Sequence, residues 1–395
     1  MFLQQITPLL MVMLIYSCSS PENVNSNKPS YNQIATLHSQ DSVLFELDST
    51  QGFYSNNINQ LEIEGNQFIT LFNQMTGKLY YYNLKTGATV KITQYEMEGP
   101  NGIGAHAEQI THLPIGMDSV FIYNGWDLRG YLFDGLGSKL KTFDFASSSI
   151  FESEGPFVIS ITNDNRPYRI GNKIYFNCQS VPARQFGKKP VLLALNLKTA
   201  ELQGIIIPPN SYSDYCWGVN YSTNVFSTYH AERKQFIMSY GVESDLYVYD
   251  STGREKDRVN NGSKFFGSIE PYSSNVKDYM NMSSYEKRMN HSMLNPKYYK
   301  LLHFSNQDNE YFLRETFLPR KEEDIQAGIN NLRKSFIISD KNLNQTGEYL
   351  VPEQYMTSLF FTSSKGVYLA DLNYYYKNEG FLKFDLFTLK VLPNE

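Results

Sequence analysis

Residues Leu79–Gly87 read L-Y-Y-Y-N-L-K-T-G, an aromatic alternating run that ends on an asparagine and enters a tight polar turn closed by glycine. Alternation at period two marks a half-buried strand, and an Asn or Asp followed by a Gly-bearing turn predicts a hairpin. The phrase recurs at Gly130–Gly137 (G-Y-L-F-D-G-L-G), Val191–Thr199 (V-L-L-A-L-N-L-K-T) and Leu246–Gly253 (L-Y-V-Y-D-S-T-G). A looser copy spans Ser335–Gly347, and Gly380–Thr388 (G-F-L-K-F-D-L-F-T) ends the series. Six hairpins are therefore expected, marked by Asn83, Asp134, Asn196, Asp250, Asp340 and Asp385 at intervals of 51, 62, 54, 90 and 45 residues. Strand repeats near that period predict a β-propeller or another closed repeat array.

Working outward, an inner strand pair precedes each hairpin: Ile58–Ile63 with Phe68–Phe72 before the first, and Ser358–Thr362 with Gly366–Leu369 before the last. The fold class is thus all-β, a six-bladed propeller of four-stranded blades. A ring of this kind must join its ends, because an open edge strand exposes unpaired backbone groups. The surplus strand-like run Ser42–Asp48 is expected to close it beside Phe381–Leu392. Although 395 residues would ordinarily suggest more than one domain, residues 41–395 are read as a single propeller, with one or two short helices in its long loops.

Aromatic residues make up 15% of the chain, which suits pleated, half-buried surfaces. The net charge of −5 excludes no partner, but no basic run interleaved with stacking residues exists, so nucleic acid is not expected. Besides Cys18, the chain has only Cys178 and Cys216, without C-x-x-C spacing, so no zinc site is expected. The two are read as separate buried thiols, with a disulfide as the alternative.

At the N-terminus, the apolar stretch Ile6–Tyr16 has the length of a signal-peptide core and is too short for a membrane span. It leads into Leu14-Ile15-Tyr16-Ser17-Cys18, which resembles the lipobox of bacterial lipoproteins. That resemblance implies cleavage before Cys18, lipidation of its thiol, and attachment to a membrane of the cell envelope, the outer membrane first. An ordinary cleaved signal peptide is the alternative. Residues 1–17 are then the signal and 18–40 a polar, flexible tether.

Propeller geometry sorts the connections by face. Links between strands one and two, and three and four, are short and rich in Gly, Asn and Asp. Links between strands two and three, and between blades, are long and varied; two of them, Asn275–Met293 and Lys321–Leu332, carry helical patterns. Binding residues concentrate on loops held by a rigid scaffold, so the long-loop face is the expected working face. Its candidates are Glu98 and Asn101 in E-G-P-N-G, Glu154 in a second E-G-P, Trp126, Asp127 and Arg129 in one loop, and Trp217 in another. Arg166 and Arg314, on or beside inner strands, are expected to line the channel and meet an anion or a neighbouring carboxylate. The polar trio Asn163-Asp164-Asn165 lacks the spacing of a calcium loop. The histidines form no metal triad, no nucleophile elbow is present, and no cofactor is expected.

The lipobox-like start, Tyr80–Gly87, the loop Glu98–Gly104 (E-G-P-N-G-I-G) and the run Asp118–Asp134 resemble a family of uncharacterised Bacteroidota lipoproteins with TolB-like six-bladed propellers. The resemblance covers most of residues 40–393 and implies the fold, but supplies no catalytic residues. The expected function is an envelope-anchored binding module that holds a glycan, a peptide or a partner protein on the long-loop face. The alternative is a propeller hydrolase or lactonase with a metal at the channel mouth, held by Glu98, Glu154 and Asn101.

Overall fold

The structure, a computed structural model, describes residues 34–48, 58–104, 106, 109–154, 157–160, 162–180, 188–219, 224–305, 310–327 and 332–392. The signal segment, Cys18 and most of the expected tether lie outside these residues. Six antiparallel sheets form a ring of blades. Blade one runs β2 (Ile58–Ile63), β3 (Asn66–Asn73), β4 (Lys78–Asn83) and β5 (Thr89–Gln94) from axis to rim. Blade two is β6 (Ile110–Gly116), β7 (Ser119–Asn124), β8 (Arg129–Asp134) and β9 (Lys139–Asp144). In blade three two short inner strands, β10 (Phe157–Ile159) and β11 (Tyr168–Ile170), share the partner β12 (Lys173–Ser180), followed by β13 (Leu192–Asn196) and β14 (Leu202–Ile206). Blade four comprises β15 (Val225–His230), β16 (Gln235–Tyr240), β17 (Asp245–Asp250) and β18 (Glu255–Asn260). Blade five comprises β19 (Lys297–Ser305), β20 (Glu310–Phe317), β21 (Lys334–Asp340) and β22 (Gln345–Val351). Blade six is β23 (Tyr355–Ser363), β24 (Gly366–Asp371), β25 (Phe381–Val391) and, outermost, β1 (Ala35–Glu46).

The core is a chain of apolar clusters, each seated between neighbouring blades. Tyr95 meets Phe133 at 5.0 Å between blades one and two, Phe121 meets Phe176 at 5.9 Å between two and three, and Phe45 meets Tyr82 at 4.9 Å across the ring closure. Alternation in each strand puts one apolar face on each neighbouring blade, so a single ring can bury both faces of every sheet.

The recurring phrase has a local cause. Asn83 Oδ1 accepts from the backbone N–H groups of Lys85 and Thr86, and Asn196 Oδ1 from those of Lys198 and Thr199. Asp134, Asp250 and Asp340 cap their turns similarly, each Oδ1 accepting from the N–H groups two and four residues further on. The last turn position then takes a positive φ: Gly87 at 73°, Gly137 at 89°, Ala200 at 64°, Gly253 at 83° and Leu343 at 66°. Glycine is required where the turn touches the neighbouring blade. A Cβ on Gly87 would lie 2.1 Å from the Leu44 carbonyl oxygen in β1, and one on Gly253 would lie 1.9 Å from that of Ile205 in β14. The glycine therefore serves both turn geometry and blade-to-blade docking.

Five of the six expected hairpins form. The sixth does not, because Asp385 lies inside the unbroken strand β25 and pairs with Leu369 on one side and Ser42 on the other. Blade six needs no outer hairpin, since its fourth strand comes from the N-terminal end of the ring. That strand is longer than expected: it begins at Ala35, so residues 35–40 of the expected tether belong to the sheet. Its inward residues Ala35, Leu37, Val43 and Phe45 are buried.

Helices occupy the long links: α1 (Ser149–Glu154), α2 (Ser211–Asp214), α3 (Tyr285–Leu294), α4 (Glu322–Gln326) and α5 (Leu372–Lys377). Cys178 and Cys216 are free, buried thiols. Among the described residues no helix is long and apolar enough to cross a membrane.

Candidate functional site

The channel is crossed by a segment of blade three. The chain leaves the inner edge of that blade after β10 and rejoins it at β11, and between them Asn163–Arg166 reach the axis. There Asn163–Asn165 form a single 3-10 turn. Asn163 Oδ1 accepts from the Ile58 N–H of blade one at 2.7 Å, and Asn165 Nδ2 donates to the Val225 carbonyl of blade four at 2.7 Å. Asp164 takes the Lys300 ammonium of blade five at 2.5 Å and the Tyr299 hydroxyl at 3.4 Å. Arg166 Nη2 donates to the Phe360 carbonyl of blade six, and Asn177 Nδ2 donates back to Asn165 Oδ1 from β12. Asn59 of blade one donates to the His112 carbonyl of blade two at 2.6 Å. The plug thus bonds to five blades, and Asn59 links blade two to blade one beside it. The Asn-Asp-Asn trio is not a cation loop. Amides suit this position because each can donate and accept at once.

Ile58 and Val225 begin their strands, so the plug sits near the long-loop end of the axis. On its other side an axial funnel of about 470 Å³ opens toward the short turns, lined by strand-end residues such as Glu62, Ile170, His303 and Thr362. Arg166 lies in this funnel beside the plug. Burial draws its guanidinium down to about 9, against the opposing pull of Asp164.

On the long-loop face the structure brings a second group together at the corner of blades one and two. The loop containing Glu98 and Asn101 is fixed from within by Ile103 N–H to Glu96 carbonyl and Gly104 N–H to Met97 carbonyl bonds, each about 3 Å, and by the fully buried Ile103 side chain. Asn124 ties this loop to the next one. Its Nδ2 donates to the Ile103 carbonyl at 3.0 Å, while its Oδ1 accepts from the Trp126 and Asp127 N–H groups. Gly104 is packed so closely that a Cβ there would lie 2.2 Å from Asp127 Oδ2. Lys139 binds the Pro100 and Gly102 carbonyls and sits 4.5 Å above the Tyr131 ring. Above this rigid base Trp126 is 63% exposed, stacked on His106 with ring centroids 4.0 Å apart. Glu98, Asn101 and Arg129 are exposed and Asp127 is half-buried.

The other candidates lie elsewhere. Trp217 is buried in the cluster between blades three and four, its Nε1 donating to the Ser211 carbonyl at 3.1 Å. It is a core residue, because its loop folds back under α3 and the Tyr279 hydroxyl instead of standing out from the face. Arg314 is 1% exposed and does not line the channel. It donates to Ser239 Oγ and to the Tyr240, Glu243, Ser244 and Asn261 carbonyls, fastening blade five to blade four. Glu154 ends α1, a helix that packs on the rim strand β14, and its side chain lies outside the described part. The expected meeting of Glu98 and Glu154 at the channel mouth therefore has no support in the placement of their elements. Among the described residues no three His, Cys, Asp or Glu side chains group to hold a metal. Lys300, which joins the plug to blade five, carried no sequence signal, being one basic residue in an aromatic strand.

The ring of six four-stranded blades with a plugged axis defines a six-bladed β-propeller. The chain matches the family described as a domain of unknown function, DUF4221, over residues 34–350, and it belongs to that family. Among solved structures it resembles a DUF4221 member from Bacteroides vulgatus ATCC 8482, with a TM-score of 0.74, 16% identity, and coverage of 91% of this chain and 99% of that one. It also resembles a presumed exported protein from Bacteroides fragilis NCTC 9343, with a TM-score of 0.52, 10% identity, and coverage of 91% and 96%. At these identities the likeness is one of fold. A comparison with curated proteins finds no match.

Proposed function

We propose that this protein is an envelope-anchored, extracytoplasmic binding module whose ligand, a glycan, a peptide or a partner protein, sits on the long-loop face at the corner of blades one and two. One observation carries the reading: an exposed indole stands on two loops locked to each other, with carboxylate, amide and guanidinium groups on the same loops. An indole face offers apolar area at little entropic cost, and neighbouring polar groups supply direction, the combination that sugar rings and protein hot spots use. The presumed exported relative and the lipobox-like start support an extracytoplasmic place.

Two measurements test this. In a glycan and peptide screen followed by titration, Trp126→Ala should lose about 2 kcal/mol of binding, roughly thirtyfold in affinity, with little change in melting temperature. Lys365→Ala, on the opposite face, should bind as the parent does. The reverse pattern would place the site on the other face. For the anchor, Cys18→Ala should move the protein from the membrane fraction to the soluble fraction, and labelled palmitate still entering that variant would exclude lipidation at Cys18.

A further inference from the structure

We propose that the axial funnel is a second binding site, on the opposite face, for a small hydroxylated carboxylate held by Arg166. The funnel's volume of about 470 Å³ falls within the range of small-molecule sites. Its walls carry amides and hydroxyls, among them Asn59, Gln60, Thr228 and Thr362. These suit the hydroxyls of a ligand, but they do not match the charge of Arg166.

That charge is the decisive feature. Arg166 precedes Pro167, which restricts it to the extended conformation it adopts, φ −67° and ψ 146°. Its guanidinium carbon lies over the Phe360 ring, 4.3 Å from the centroid, with Nη2 on the Phe360 carbonyl. The buried Nε has no hydrogen-bond partner among the described residues. A buried donor left unpaired carries a desolvation cost that a ligand acceptor removes. The neighbouring carboxylate of Asp164 also lines the funnel, but it takes the Lys300 ammonium and the Tyr299 hydroxyl and makes no hydrogen bond to the Arg166 Nε. At the rim Glu62 and Arg169 are both exposed and of opposite sign, with Glu62 accepting from Gln67 and Arg169 donating to the Gly171 carbonyl. Inside the funnel the guanidinium of Arg166 is therefore balanced only in part, by an Asp164 that it shares with Lys300. A planar guanidinium with an unpaired Nε favours a planar two-oxygen anion, so a carboxylate fits better than a tetrahedral phosphate or a neutral sugar.

The test is titration calorimetry on the full chain with D-glucuronate, using D-glucose as the uncharged counterpart and inorganic phosphate as the rival anion. Glucuronate should bind, glucose should not, and phosphate should bind at least tenfold more weakly. Arg166→Met should weaken glucuronate binding about thirtyfold, the loss expected for one charged hydrogen-bonded pair. Because Arg166 also touches blade six, Thr228→Phe provides a second variant that fills the funnel and leaves the plug intact; it should abolish binding at an unchanged melting temperature. Trp126→Ala should bind glucuronate as the parent does, which separates this site from the one on the long-loop face. Absence of glucuronate binding, binding unaffected by both funnel variants, or phosphate binding as tightly as glucuronate would overturn the proposal.

Discussion

A chain lacking Ala35–Glu46 is expected to aggregate, or to melt far below the parent, because its ring cannot close. The pairing of β1 with β25 runs from Ala35 opposite Val391 to Glu46 opposite Phe381, with one register shift at Ser39/Asp41. The strand also contributes Leu37, Val43 and Phe45 to the cores of two blade interfaces. Burying a Leu, Val or Phe side chain stabilises by about 1.5–3 kcal/mol each, so these three alone amount to roughly 6 kcal/mol. A whole domain is stable by only about 5–15 kcal/mol. Deletion would in addition bare the length of β25, an edge able to pair with another chain. Light scattering and thermal melting measure both effects. A synthetic peptide of residues 35–46, added to the truncated chain, should restore solubility. If the truncated chain melts with the parent, closure does not depend on β1.

The hairpins were legible because their causes are local. An Asn or Asp that caps its own turn, and an aromatic run at period two, act within about ten residues and leave a readable phrase. The same reasoning failed at Asp385, where the phrase is present but the strand continues. The partner that makes a turn unnecessary there is β1, more than three hundred residues away in sequence. The axis was illegible for the same reason. Asn163 meets Ile58 across 105 residues, Asn165 meets Val225 across 60, and Arg166 meets Phe360 across 194. Nothing in the trio's own spacing says that its amides will be spent on strands of blades one, three and four. Trp126 and Trp217 show the limit from the other side. Both lie in loops of the long-loop face, yet one is exposed and the other buried, and the difference arises from α3 and Tyr279, which cover the second and have no counterpart over the first.

The second large effect concerns the ion cluster behind the plug. Lys300, 1% exposed, lies 2.5 Å from Asp164 and 3.0 Å from the fully buried Glu315, and donates as well to the Thr357 carbonyl of blade six. Lys334 lies farther off, 3.9 Å from Glu315, with its own bond to Thr357 Oγ1. Lys300 thus bridges the buried Glu315 and the half-buried Asp164 and ties blades five and six to the plug. Lys300→Met keeps much of the side-chain volume and removes the charge, so Asp164 and Glu315 lose the cation they share. Breaking a buried pair in this way costs about 3–5 kcal/mol, since the remaining charge has neither water nor partner. The expected fall in melting temperature is roughly 5 °C. Removing the whole cluster is a different change. In Lys300→Met combined with Asp164→Asn and Glu315→Gln neither carboxylate is left without its cation, while Lys334 and Arg166, which border the cluster, keep their charges; neutral replacement of the central buried ion group is often tolerated. The triple variant should therefore recover most of the loss, although it has more substitutions than the single one. Thermal melting of the three proteins decides the matter. A single variant as stable as the parent would mean that Lys334 or water already compensates the carboxylates. A triple variant no better than the single one would mean that the hydrogen bonds of Asp164 to blade five, and not the balance of charge, hold the plug in the axis.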